Sequence, residues 1–117
     1  MIEASIRAYL AAALNPVPVL LEVPERVPDR YILIERTGGA RENLLWSSTF
    51  AVQSISAASL YDAAALCESA TAALLEADIP EVSDIRLNST YNYTNQNLSS
   101  RKTKEYRYQA VFQIFHY

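Results

Sequence analysis

Residues 31–37 read Tyr-Ile-Leu-Ile-Glu-Arg-Thr, and this stretch decides the fold class. Its first four side chains are apolar on both faces of an extended chain, and its last three are polar. That pattern is typical of a strand in the middle of a sheet that is covered on at least one side. The stretch ends at Gly38 and Gly39, the only two glycines in the protein. We therefore expect a buried strand that stops at these glycines, followed by a loop over residues 38–43.

Two elements are predicted before this strand. Residues 2–14 place apolar side chains at helical spacing, and Asn15-Pro16 predicts where the helix ends. Residues 17–23 alternate in the manner of a short strand. Because proline donates no ladder hydrogen bond, Pro18 predicts either that this strand lies at an edge or that the proline is among its first residues.

A strand and a helix are predicted after the loop. Residues 44–55 alternate, with Trp46, Phe50 and Val52 on one face, which indicates a half-buried strand. Ser59 is then an N-cap candidate for an Ala- and Leu-rich helix that runs to Ala77. The inner face of this helix is expected to carry Leu60, Ala64, Cys67, Thr71 and Leu74.

Residues 82–87 and 106–117 predict two further strands, joined by a polar stretch. The element order is thus α-β-β-β-α-β-β, which predicts an α+β fold with two helices packed on one face of a mostly antiparallel sheet. A chain of 117 residues, half of them apolar, is long enough for one core, so residues 1–117 are expected to form a single domain.

The residues that carry catalysis are scarce. Cys67 is the single cysteine and His116 the single histidine, so no intramolecular disulfide and no cysteine-based zinc cluster can form. We expect Cys67 to act as a small buried apolar side chain and His116 to lie at a sheet edge. The turn at Gly38 lacks the lysine of a phosphate loop. The sequence therefore predicts a protein that is not an enzyme and binds no cofactor, metal or membrane.

Charge is distributed unevenly along the chain. Residues 1–84 hold twelve acids and five bases, a net charge of −7, whereas residues 85–117 hold one acid and five bases, a net charge of +4. Such polarity suits head-to-tail association of identical subunits, or docking on a partner of fixed polarity, better than broad binding to nucleic acid. The alternative is a chance split of the kind that small domains often show.

Residues 88–103 form a polar stretch without glycine or proline, which predicts a long loop over about residues 88–104. Tyr91 and Tyr93 alternate there with amides, which is the composition of a contact surface. The stretch ends in the basic residues Arg101, Lys102 and Lys104. An alternative function is therefore a small module that binds nucleic acid or protein through residues 88–107.

Several short motifs resemble one protein family. They are Glu22-Val-Pro24, the run from Pro28 to Gly39, Phe50-Ala-Val-Gln53 and Arg107-Tyr-Gln109, in this order and spacing. Together they resemble the tail terminator (tail completion, head–tail joining) proteins of long-tailed bacteriophages and prophages.

The resemblance implies a structural virion protein that assembles in the host cytoplasm. Such proteins form a ring, commonly a hexamer, that caps the head-proximal end of the tail tube and stops tube polymerisation. The implied partners are further copies of the chain, the tail tube protein and the head–tail connector protein, while DNA passes through the lumen without specific binding.

Unlike patches on neighbouring copies would close such a ring. We expect Arg36 and Arg107 to pair with acids such as Glu35, Glu42 or Asp84 of a neighbour, because arginine binds carboxylates in a fixed geometry. One alternative is that Gly38 and Gly39 only make a turn. Another is that Arg107 and Gln109 are only solvent-exposed side chains on an open sheet face. The full set of expected interface residues is Glu35, Arg36, Gly38, Gly39, Arg41, Glu42, Asp84, Tyr91, Tyr93, Arg101, Lys102, Lys104, Arg107 and Gln109.

Overall fold

Two helices and one five-stranded mixed sheet make up the computed structural model, which describes residues 1–94 and 105–117. The predicted order α-β-β-β-α-β-β is confirmed. The elements are α1 (Ile2–Ala13), β1 (Val19–Leu20), β2 (Arg30–Glu42), β3 (Leu45–Ser56), α2 (Leu60–Leu75), β4 (Val82–Thr94) and β5 (Tyr106–His116).

The strand order in the sheet is β1-β2-β3-β5-β4. Only β1 and β2 run parallel, and the other pairs are antiparallel, as predicted for a mostly antiparallel sheet. β1 is much shorter than the predicted strand over residues 17–23. Pro18 contributes only its carbonyl oxygen, which accepts a hydrogen bond from the Ile32 amide at 2.9 Å.

The main core lies between the sheet and the two helices. Helix α1 contributes Ile6 and Leu10, and α2 contributes Leu66 and Leu74. The facing strands contribute the fully buried side chains Ile32, Ile34, Phe50, Val52, Phe112 and Ile114. We call this the helix face of the sheet and the opposite side the open face.

A smaller cluster buries the beginning of β2 on the open face. Tyr31, Leu33 and Ile55 pack there beneath Leu20 and Val27, which come from β1 and the connector after it. The first half of β2 is therefore covered on both sides, which confirms the expectation drawn from its unbroken apolar run.

The predicted N-cap of α2 is confirmed, because Ser59 Oγ accepts a hydrogen bond from the Asp62 amide at 3.0 Å. The predicted inner face was wrong for Leu60, Ala64 and Thr71, which remain partly exposed. The helix is rotated so that Leu66, its bulkiest central side chain, enters the core. The buried positions are Ala63, Leu66, Cys67, Ala70 and Leu74.

The two glycines do not end β2, contrary to the sequence-based expectation. The strand continues to Glu42 and turns at Asn43 and Leu44 into β3, so the predicted loop over residues 38–43 is wrong. Asn43 makes the turn with φ 57°, a left-handed conformation that asparagine tolerates better than most residues. A β-bulge between Arg36 and Gly38 absorbs one extra residue.

β4 is longer than predicted, and residues 88–94 of the expected loop belong to it. Its backbone pairs with β5 as far as Thr94 opposite Tyr106, and β-bulges lie between Val82 and Asp84 and between Leu87 and Ser89. Threonine and tyrosine favour strands, which explains the extension. The remainder of the expected loop, residues 95–104, lies outside the described residues.

The packing of the core predicts that two leucines of α2 contribute very differently to the free energy of unfolding. Leu66 is 1% exposed and Leu75 is 50% exposed. We expect Leu66→Ala to lower the free energy of unfolding by about 2–5 kcal/mol, because it leaves a cavity in the packed core. Leu75→Ala, the matched control, is expected to cost about 1 kcal/mol or less. Urea unfolding of both variants measures the difference, and equal losses would contradict this packing of α2.

Candidate interaction surfaces

The hairpin of β2 and β3 extends beyond the cover of the helices. The helices cover β2 as far as Arg36, whose Nη1 atom lies 3.8 Å from Glu3 Oε1 in the first turn of α1. From this point to the turn at Asn43, the side chains of β2 are exposed on both faces. The hairpin therefore offers two surfaces, one on each side of the sheet.

A tryptophan between two arginines forms the surface on the helix face. Arg36 Cζ lies 5.7 Å and Arg41 Cζ 5.4 Å from the Trp46 ring centroid, within the range of cation–π attraction. Arg41 is the register partner of Trp46 on the neighbouring strand, and its Nε donates a hydrogen bond to the Asn43 carbonyl at 2.7 Å. We call Arg36, Arg41 and Trp46 the arginine–tryptophan cluster.

His116 supports this cluster from the neighbouring strand. Its ring stacks on Trp46 with an interplanar angle of 9°, and it shares a 2.7 Å hydrogen bond with Ser48 Oγ. The expectation that His116 lies at a sheet edge is wrong, because β5 lies between β3 and β4 and the side chain is buried. Ser48 is also fully buried, so this serine–histidine pair joins β3 to β5 and presents no hydroxyl to solvent.

Gly39 leaves room for the Arg36 side chain. A Cβ atom at this position would lie 3.0 Å from Arg36 Nη2 and 3.2 Å from the Ser47 carbonyl oxygen. At Gly38, in contrast, a Cβ would meet nothing within 4 Å. Gly39 thus has a steric role in the cluster, whereas Gly38 has space for a side chain.

The open face carries hydrogen bonds that cross from strand to strand. Arg107 Nη1 donates to Gln53 Oε1 at 2.8 Å, and Gln109 Nε2 donates to the Tyr91 hydroxyl. Gln113 accepts from Thr49 Oγ1 at 3.1 Å and donates to Ser47 Oγ. Because each bond joins neighbouring strands, these side chains are held in a fixed arrangement. We call this set the polar ladder.

One ion pair lies beside the polar ladder. Arg86 Nε lies 2.9 Å from Asp84 Oδ2, and the Arg86 guanidinium stands 5.1 Å from the Phe115 ring centroid. Asp84 is thus already paired within its own chain, and Arg36 is paired with Glu3.

The sheet register divides the expected interface residues between the two faces. Arg36, Gly39 and Arg41 fall on the helix face. The open face takes Glu35, Gly38, Glu42, Asp84, Tyr91, Arg107 and Gln109. The backbone of Tyr93 pairs with Arg107, and the Tyr93 side chain lies outside the described part of the structure. Arg101, Lys102 and Lys104 lie outside the described residues.

Sequence reasoning missed three residues of the helix-face surface, namely Trp46, Ser48 and His116. Alternation along β3 did place Trp46 on the same face as Phe50. Its meeting with His116 depends on the register of two strands far apart in the chain, which no local pattern indicates.

A groove of about 390 Å³ lies between α2 and the helix face of β4. Leu75, Leu87 and Tyr108 line its walls together with Cys67. Burial raises the pKa of the Cys67 thiol, which keeps it protonated at neutral pH. This confirms the expectation that Cys67 is a small buried side chain.

Metal-binding groups and membrane-spanning helices are both absent from residues 1–94 and 105–117. No group of three or more His, Cys, Asp or Glu side chains is placed there to hold a metal ion. No helix in these two ranges is long and apolar enough to cross a bilayer.

The fold is similar to that of a chain in a solved virion structure, described as the virion of a native gene transfer agent (GTA) particle. The match has a TM-score of 0.68 at 17% sequence identity and covers 98% of this chain and 90% of that chain. No family model and no curated protein matches the sequence. At this identity the similarity establishes a shared fold over nearly the whole chain.

The two glycines provide a matched pair of variants. We expect Gly38→Ala to raise the free energy of unfolding by about 0.5–1 kcal/mol, because alanine loses less backbone entropy in a strand. Gly39→Ala should show no such gain, since its Cβ would crowd the Ser47 carbonyl oxygen and displace Arg36 from Trp46. Urea unfolding measures the first effect.

The fluorescence of Trp46, the single tryptophan of the chain, reports the displacement of Arg36. Its emission spectrum should change in Gly39→Ala and stay the same in Gly38→Ala. Identical stability and identical spectra in the two variants would contradict the proposed packing of Arg36 over Gly39.

Proposed function

We propose that this protein is a structural component of a phage-like virion, in which it forms a ring at the head-proximal end of the tail tube and ends tube polymerisation. The observation that carries the proposal is the fold match to a virion chain over 98% of the sequence. The motifs that resemble those of tail terminator proteins, from Glu22 to Gln109, support the finer assignment to the end of the tail.

The two edges of the sheet support association in a ring. β1 covers only Ile32 and Leu33 of β2, so residues 35–42 form one edge without a strand beside them in this chain. β4 forms the opposite edge over its whole length. A closed ring needs two different patches that meet head to tail, and these two edges differ in length and sequence.

The polar ladder suits contact with other virion proteins. It presents amide, hydroxyl and guanidinium groups that are held by bonds between strands. A surface that is already ordered loses little side-chain entropy when a partner binds. We assign the open face to contacts along the tail axis. Its partner there is either the tube protein, on one side of the ring, or the connector protein, on the other side.

Electron microscopy of the purified protein mixed with tail tubes tests this function. We expect rings at one end of each tube, and tubes that stop growing once the protein is added to a polymerising mixture. Tubes polymerised without the protein are the control, and they should show open ends and a broader distribution of lengths.

Two results would contradict the proposal. Tubes of unchanged length with bare ends would exclude a terminator role. Retention of the protein on nucleic acid with a steep dependence on salt, together with bare tubes, would favour the alternative module that binds through residues 88–107.

A further inference from the structure

The arginine–tryptophan cluster is a positively charged surface on an exposed hairpin. The Arg36 side chain is 32% exposed, Arg41 is exposed, and Trp46 is 36% exposed between them. Glu3 offsets part of the charge of Arg36, at 3.8 Å. Two guanidinium groups held against one indole ring are suited to bind carboxylates, because their positions are already fixed by the ring.

An acidic segment lies on the other side of the molecule. Residues 76–84, which comprise the connection from α2 and the first three residues of β4, contain Glu76, Asp78, Glu81 and Asp84 but no basic residue. Asp84 is paired with Arg86, while Glu76 and Asp78 are exposed. We call residues 76–84 the acidic connector.

The register of the sheet places Arg41 of the cluster and the acidic connector at the same level on opposite edges. Arg41 pairs with Trp46, Trp46 pairs with His116, and His116 pairs with Val82, the residue after Glu81. The Glu81 carbonyl also accepts a hydrogen bond from the Tyr117 amide at 3.0 Å, which fixes the connector at the end of this row. One row of residues therefore runs across four strands from the cluster to the acidic connector.

We propose that the arginine–tryptophan cluster of one copy binds the acidic connector of the next copy. This contact rests on the ring proposed above and names the surfaces that close it. When two copies lie side by side, the β2 edge of one faces the β4 edge of the other. Because of the row of paired residues, Arg41 of the positive cluster and the acidic connector then lie at the same level along the strands. The contact joins unlike surfaces, so it repeats from copy to copy and can close into a ring.

Two charge-reversal variants test the contact. The first, Arg36→Glu with Arg41→Glu, reverses the cluster and keeps the acidic connector. The second, Asp78→Lys with Glu81→Lys, reverses the connector and keeps the cluster. Sedimentation velocity and electron microscopy on tail tubes measure ring formation for wild type, for each variant alone and for an equimolar mixture.

Each variant alone should form rings at least about tenfold less well than wild type, because like charges then meet at every contact. The mixture should restore rings in which the two variants alternate, since both kinds of contact again join opposite charges. Restoration by mixing is the result that a damaged fold could not produce.

Controls separate this contact from general effects of charge and folding. Glu22→Lys with Glu25→Lys makes the same change in net charge as the second variant. It lies in the connector before β2, far along the strand from the row, and should leave ring formation unchanged. Arg41→Glu alone repeats the test with one exposed substitution, if thermal unfolding shows that the double variant is destabilised.

The outcomes distinguish the contact from the ring itself. Wild-type rings together with unimpaired rings of either variant would overturn the contact and leave the proposed function standing. Impaired variants that mixing does not restore would also overturn it. If wild type forms no rings on tubes at any concentration, the proposed function and the contact both fail.

Discussion

The unbroken antiparallel pairing of β3 with β5 is the constraint on which the rest of the structure depends. All eleven residues of β5 pair with β3, whereas β2 and β4 reach their neighbours through bulges. This pairing brings Phe50 beside Phe112 under the helices. It also sets Trp46 beside His116 and Gln53 beside Gln109, so one register determines the core and both exposed surfaces.

An open sheet with unlike edges connects this fold to assembly. Two helices cover the middle of the sheet and leave exposed the hairpin beyond Arg36 and, on the helix face of β4, Leu87 and Thr90. Edge strands of this length invite pairing with another chain, and proteins that do not use them usually shorten or cover them. Here the long free edges and the opposite charges at one level support the same proposal of association between copies.

Local patterns predicted the elements but not how they meet. The helix cap at Ser59, the central strand at residues 31–37 and the alternation of β5 were all predictable, since each depends on neighbours in sequence. The hairpin was not, because Gly38 and Gly39 resemble a turn and here continue a strand. Arg36 and Arg41 are five positions apart, which puts them on opposite faces of a regular strand, and only the bulge between Arg36 and Gly38 brings them to one face.

A cryo-electron microscopy reconstruction of the protein bound to tail tubes tests the central claim most directly. The claim predicts a closed ring at one tube end, in which the free β2 edge of every copy faces the β4 edge of the next and Trp46 lies against residues 76–84 of that neighbour. Copies that meet through identical edges in two-fold pairs, or tube ends that carry no density for the protein, would contradict it.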